Sequence, residues 1–138
     1  MKSILIVPVT LVLAFHGLIH LMGATAYLKL GVLQGLPYKT SVLGGRLELG
    51  ELGIGVFGAL WALCAFGFVS SVAGMLSNQT WWRPVLLGVT LLSLVLTTLD
   101  MRVAFVGLIV NVAILMTLWF SSVRETPLLE APLKTRAH

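Results

Sequence analysis

The chain has 138 residues, of which 58% are hydrophobic and only 10% are charged, and its mean hydropathy is +1.02. A soluble domain is about one quarter charged and leaves much of its surface in water, so this composition excludes a soluble fold and predicts that lipid surrounds most of the chain. With five Asp and Glu residues in the chain, the nine Lys and Arg residues give a net charge of +4. They form no basic run with interleaved aromatic residues, which excludes a nucleic-acid-binding surface.

Four apolar segments follow one another along the chain, at residues 4–28, 47–70, 84–99 and 103–123. Each is comparable with the roughly 20 residues that a helix needs to cross the hydrocarbon core of a bilayer. The alternating polarity of a membrane-spanning barrel is absent. We therefore predict an all-α fold, an integral membrane four-helix bundle over residues 1–123, followed by a disordered polar tail over residues 124–138.

The basic residues between the segments predict an orientation. With four spans, both termini lie on one side of the membrane. That side carries five basic residues, namely Lys2, Arg83, Arg124, Lys134 and Arg136. The opposite side carries four, namely Lys29, Lys39, Arg46 and Arg102. Under the positive-inside rule, this difference places the termini in the cytoplasm.

Polar side chains recur at one depth of the predicted bundle. His16 and His20 are four residues apart in the first helix, and Glu48 and Glu51 are three apart in the second, so each pair lies on one helix face. Antiparallel packing of the helices brings six polar residues to a similar level, namely His16, His20, Glu48, Glu51, Asp100 and Asn111. Ionisable groups at depth are costly and usually face a bundle interior or a wet cavity. We therefore expect a polar pocket that opens toward the long first loop.

Each of these residues also has a purely structural interpretation. The histidines and Asn111 are equally suited to hydrogen bonds that hold helices together. The carboxylates are equally suited to ion pairs at a solvated end of the bundle. Their partners would then be the basic residues Arg46, Arg102 and Lys29. The coincidence in depth is what favours a site.

The first ligand that we predict for this pocket is a metal ion. Two imidazoles on one helix face, completed by a carboxylate, form a set suited to Zn or non-haem Fe. The predicted metal ligands are His16, His20, Glu48, Glu51 and Asp100.

A lipid-soluble cofactor such as a quinone is the second candidate, with His16, His20 and Asn111 as the binding residues. An alternative is a membrane enzyme that performs acid–base chemistry on a lipid or isoprenoid, with catalytic residues that the sequence does not single out. A third interpretation is a structural or proton-relay subunit without a cofactor. Membrane lipid is the expected partner, and the chain is expected to act as a homo-oligomer or as a subunit of a larger membrane complex.

Three short motifs resemble those of a known group of proteins. His16 to Gly23 has the sequence His-Gly-Leu-Ile-His-Leu-Met-Gly, Gly58 to Trp61 has Gly-Ala-Leu-Trp, and Phe105 to Asn111 has Phe-Val-Gly-Leu-Ile-Val-Asn. Together they resemble small bacterial four-helix membrane proteins of unassigned function, and the overall layout is similar to that of DoxX-like proteins. The resemblance implies a bacterial inner-membrane protein and draws attention to the two histidines and the asparagine as site residues.

Overall fold

A computed structural model describes residues 2–125 of the chain and the side chains of residues 6–122. The described part consists almost entirely of four α-helices, α1 (Lys2–Tyr27), α2 (Gly50–Leu76), α3 (Trp82–Leu99) and α4 (Met101–Glu125). All four are long and apolar enough to cross a membrane. The predicted all-α, four-helix fold is confirmed, and the chain is a multi-pass membrane protein.

The loop between α1 and α2 contains a small hairpin that the sequence did not predict. Strand β1 (Ser41–Val42) pairs in antiparallel fashion with β2 (Leu47–Glu48), and a 3-10 turn (Leu43–Gly45) joins them. The second helix therefore begins at Gly50, whereas the prediction began at residue 47. Gly50 has a φ of 66°, a left-handed conformation that interrupts a helix and favours glycine.

The far end of α2 also differs from the prediction, which ended at residue 70. The Ser71 hydroxyl donates to the Gly67 carbonyl oxygen (2.8 Å). That bond satisfies the hydroxyl inside its own helix, so the serine does not end it. The ends of the other three helices lie within two residues of the predicted ones. The predicted polar tail lies outside the described residues from residue 126 onward.

The bundle is held together by consecutive helix pairs. Each helix packs against the next one along the chain, whereas α1 and α4 make few contacts with each other. Only 11% of the most apolar segment of α4 is buried, against 33–39% in the other three helices. Three aromatic residues of α2, namely Phe57, Trp61 and Phe68, are buried in the core. A cleft between α1 and α4 therefore remains on one side of the bundle.

Candidate ligand-binding site

Buried polar side chains from three helices form one hydrogen-bonded network. Nε2 of His16 lies 2.9 Å from Oδ1 of Asn111, which links α1 to α4. Nδ2 of Asn111 donates to the hydroxyl oxygens of Ser93 (2.8 Å) and Thr97 (3.2 Å), which links α4 to α3. Nε2 of His20 lies 2.6 Å from the same Ser93 oxygen. Since each of the five residues is at most 4% exposed, these bonds replace the water that the groups would otherwise need.

Aromatic rings of α2 cover the two histidines on the side away from α4. Ring centroids lie 4.8 Å apart for His16 and Phe68, and 5.0 Å apart for His20 and Trp61. Gly23 permits this packing, because a Cβ atom at that position would lie 2.5 Å from a ring carbon of Trp61. The indole thus occupies the space of the missing side chain, and the imidazoles sit in a largely apolar wall.

Asp100 lies in a second polar cluster at the end of the bundle beneath the first loop. It is the single residue between α3 and α4 and is only 2% exposed. Its two carboxylate oxygens accept hydrogen bonds from the Tyr27 hydroxyl and from the Lys39 ammonium group. The lysine reaches in from the loop, so the buried charge is paired as a buried carboxylate requires.

A cavity of about 280 Å³ connects the two clusters. Its polar lining includes His16, His20 and Thr97 from the network and Asp100 from the cluster at the loop end. Residues 34–36 of the first loop border it. The remaining lining is largely apolar and includes residues of α1 and α4 that are more than half exposed, namely Ile19 and Val106. The cavity therefore opens sideways, through the cleft between α1 and α4, toward the surface that lipid covers.

A second cavity of about 330 Å³ adjoins the first along the same cleft. Val110 lines both of them. The second cavity is lined mostly by apolar side chains of α1 and α4, among them Val9 and Ile114, and is closed by Met75 of α2 and by Trp82 and Leu86 of α3. The cleft thus has a polar end and an apolar end.

The structure does not bring Glu48 and Glu51 to this site. Glu51 pairs with Lys29 (2.7 Å) and accepts a hydrogen bond from the Tyr38 hydroxyl (2.7 Å), on an exposed part of the loop face. The hydrogen bond to the Glu51 carboxylate raises the pKa of Lys29. Glu48 is exposed in β2, and its carboxylate accepts from the Gly50 N–H (3.1 Å). The expectation of one shared helix face fails for this pair because Glu48 precedes the helix.

The five predicted metal ligands do not form one cluster. Within residues 6–122, no three His, Cys, Asp or Glu side chains come close enough together to hold a metal ion. Both ring nitrogens of His20 already have hydrogen-bond partners, and both oxygens of Asp100 do as well. Metal binding stays a prediction, and the hydrogen-bonded geometry does not favour it.

No family model matches the chain, and the searches of curated proteins and of solved structures found no match either. The function must therefore be argued from the geometry of the site itself.

Sequence reasoning missed several residues of the site, although one signal was present. Polar residues recur along α3 at spacings of three and four, which place them on one helix face. They are Thr90, Ser93 and Thr97, their spacing continues to the predicted Asp100 just after the helix, and all four are buried. By contrast, no periodic pattern marks Lys39, whose role depends on how the loop folds over the bundle.

Proposed function

We propose that this protein binds a lipid-soluble molecule, with a polar group and an apolar body, in the cleft between α1 and α4. The observation that carries the proposal is the cavity of about 280 Å³, which joins an apolar lining to a buried hydrogen-bond network. Ligand sites are typically concave and mostly apolar, with a few polar groups that fix the orientation of the ligand. A quinone-like or isoprenoid molecule has this character.

The position of the cavity supports a ligand that arrives from the membrane. Its rim includes side chains that lipid covers, such as Ile19 at 56% and Val106 at 73% exposure. A molecule dissolved in the bilayer reaches the polar end of the cleft without passing through water. A hydrophilic substrate would have to enter between the first loop and the end of the bundle, past Lys39 and Asp100.

An enzymatic version of this function has one observation in its favour. Asp100, held by Tyr27 and Lys39, borders the same cavity as His16 and His20. A carboxylate and an imidazole that border the same bound lipid are suited to moving a proton on it. The distinguishing experiment is turnover of the bound lipid by the purified protein.

The binding proposal is tested by blocking the cavity. Val106→Trp places a large side chain at the rim, while Val112→Trp adds the same bulk at a lipid-facing position of the same helix that does not line the cavity. Each protein is purified gently from its native membrane, and the extracted lipids are quantified by mass spectrometry. We expect one class of lipid to be enriched with the wild type and with Val112→Trp, but lost from Val106→Trp.

Identical lipid profiles for both variants would contradict the proposal and leave the polar residues as helix-packing contacts. Elemental analysis of the same samples decides the metal alternative. A stoichiometric metal that is lost in a His16→Ala/His20→Ala variant would make the histidines ligands. A metal-free sample that carries a bound lipid supports the cleft as a lipid site.

We further propose that the protein lies in a bacterial inner membrane, which rests on the resemblance of its short motifs, with its termini in the cytoplasm, which rests on the charge distribution. The single cysteine allows a clean test, because Cys64 is fully buried and gives little background labelling. In Val32→Cys, the new thiol lies at a fully exposed position of the first loop. Labelling of intact cells by an impermeant maleimide is expected, and labelling only after lysis would reverse the orientation.

A further inference from the structure

The donor and the acceptor of each hydrogen bond in the network follow from one bond whose direction is certain. Nδ1 of His20 lies 2.7 Å from the backbone carbonyl oxygen of His16. A carbonyl oxygen only accepts, so Nδ1 of His20 carries a hydrogen and donates it. A neutral ring is favoured at this depth because a charge is costly there. Nε2 of the same ring then has no hydrogen and accepts one from the Ser93 hydroxyl (2.6 Å).

The direction of the next bonds follows. Because the Ser93 hydroxyl donates to His20, its oxygen accepts from Nδ2 of Asn111. The Thr97 hydroxyl donates to the Ser93 carbonyl oxygen (2.8 Å), so its oxygen also accepts from that amide. Both contacts fix the orientation of the Asn111 amide, and its oxygen Oδ1 faces His16. Nε2 of His16 must therefore be the protonated nitrogen of its ring.

The network thus ends at a single free acceptor. In a neutral His16 with hydrogen on Nε2, Nδ1 carries a lone pair and no hydrogen. Nδ1 makes no hydrogen bond to any part of the chain that the structure describes. His16 lines the polar cavity. The reverse polarity would turn a lone pair of His20 toward the His16 carbonyl oxygen, which is repulsive.

We infer that the ligand of this cleft is a hydroxyl-bearing lipid that donates a hydrogen bond to Nδ1 of His16, with its apolar chain extending past Val110 into the second cavity. This inference rests on the proposed lipid-binding function and narrows it to a class of ligand. A hydroxyl supplies the donor that the network lacks, as the reduced form of a quinone or a lipid alcohol does. A carbonyl or ether oxygen has no hydrogen to donate. It would turn its own lone pair toward the lone pair of Nδ1, so a ligand that offers only such an oxygen is disfavoured.

The test uses two probes that differ only in the donor. 4-Nonylphenol and its methyl ether share the same ring and chain, but the ether has no hydroxyl hydrogen. Protein labelled with ¹⁵N-histidine is reconstituted in nanodiscs, and each probe is titrated as a mole fraction of the lipid. The ring-nitrogen resonances of the wild type report both the tautomer of each histidine and the binding of each probe. The test therefore does not depend on whether a variant folds.

Without probe, we expect hydrogen on Nε2 of His16 and on Nδ1 of His20. The phenol is expected to shift the Nδ1 resonance of His16 in a saturable way, and to bind about tenfold more tightly than the ether, the equivalent of one hydrogen bond. In His16→Phe, which keeps an aromatic ring, the preference for the phenol is expected to disappear. Val106→Trp should block both probes, whereas Val112→Trp should bind them as the wild type does.

The outcomes separate the two proposals. Equal binding of the phenol and the ether, or hydrogen on Nδ1 of His16, overturns the inference about the hydroxyl and leaves lipid binding in place. If neither probe binds at any mole fraction, lipid binding in this cleft is overturned, and the inference fails with it.

Discussion

Asn111 is the residue whose replacement tests the network most directly. It is fully buried and makes three hydrogen bonds, one to α1 and two to α3, from a helix that is otherwise the least buried of the four. Asn111→Leu keeps a side chain of similar shape and removes all three bonds. The expected decrease in the free energy of unfolding follows from the number of hydrogen bonds removed.

Hydrogen bonds between helices in a membrane contribute about 0.6 kcal/mol each on average, so three of them contribute about 2 kcal/mol. The variant also leaves Nε2–H of His16 buried without an acceptor, which adds about 1–3 kcal/mol. The hydroxyls of Ser93 and Thr97 keep their other bonds and add little. We therefore expect Asn111→Leu to lower the free energy of unfolding by about 3–5 kcal/mol.

The assay is reversible unfolding by SDS in mixed micelles, followed by circular dichroism. Thr117→Val is the matched control, because it removes an exposed hydroxyl from the same helix. Within the described residues, that hydroxyl bonds only to the carbonyl oxygen of Ala113, one turn away (2.8 Å). Its effect is expected to stay within about 0.5 kcal/mol. If Asn111→Leu unfolds at the same SDS fraction as the control, the network does not hold α4 to the bundle, and the reasoning is refuted.

Two further substitutions test the neighbouring contacts with the same unfolding assay. Lys39→Met leaves the buried Asp100 carboxylate without its cation and is expected to lower the free energy of unfolding by about 3 kcal/mol. Lys29→Met is the control, because it breaks an exposed ion pair and is expected to cause no measurable loss of stability. Equal losses would mean that the loop does not bury the pair of Lys39 and Asp100. Gly23→Ala places a methyl group 2.5 Å from an indole carbon of α2 and is expected to lower the free energy of unfolding by about 1–3 kcal/mol. Gly88→Ala is the control, because its new methyl group meets nothing within 4 Å and should not destabilise the protein. A Gly23→Ala variant as stable as the wild type would show that α1 and α2 are not in close contact there.

The fold was predictable because apolar length alone determines it. A chain with four apolar segments of this length and few charges between them has only one way to satisfy its backbone in lipid, which is to form four helices. Depth along those helices is also fixed by the order of residues. For that reason His16, His20 and Asn111 were expected at one level, and the structure joins them in one network.

The first loop was the part that the sequence could not determine. The lack of periodicity in residues 29–49 gives no sign of the hairpin or of the path that carries Lys39 over the end of the bundle. Glu48 and Glu51 were expected to act as a pair on one helix face, but the chain turns at Gly50 between them. For a carboxylate at the end of an apolar segment, the sequence predicts its depth in the membrane. It does not predict which way the side chain faces, because that depends on the turn before the helix.

The same network suits helix packing as well as ligand binding, and its free end favours ligand binding. A set of polar residues that only holds helices together in a membrane is expected to satisfy each of its own groups, because lipid supplies no replacement partner. Here the chain of bonds runs through His20, Ser93 and Asn111 without a gap and then stops at His16, which lines a cavity on the side of the bundle where α1 and α4 make few contacts. If packing were its only role, a closer approach of α1 and α4 would bury Nδ1 of His16 and remove the cavity. The open cleft therefore favours a molecule from the bilayer as the missing partner.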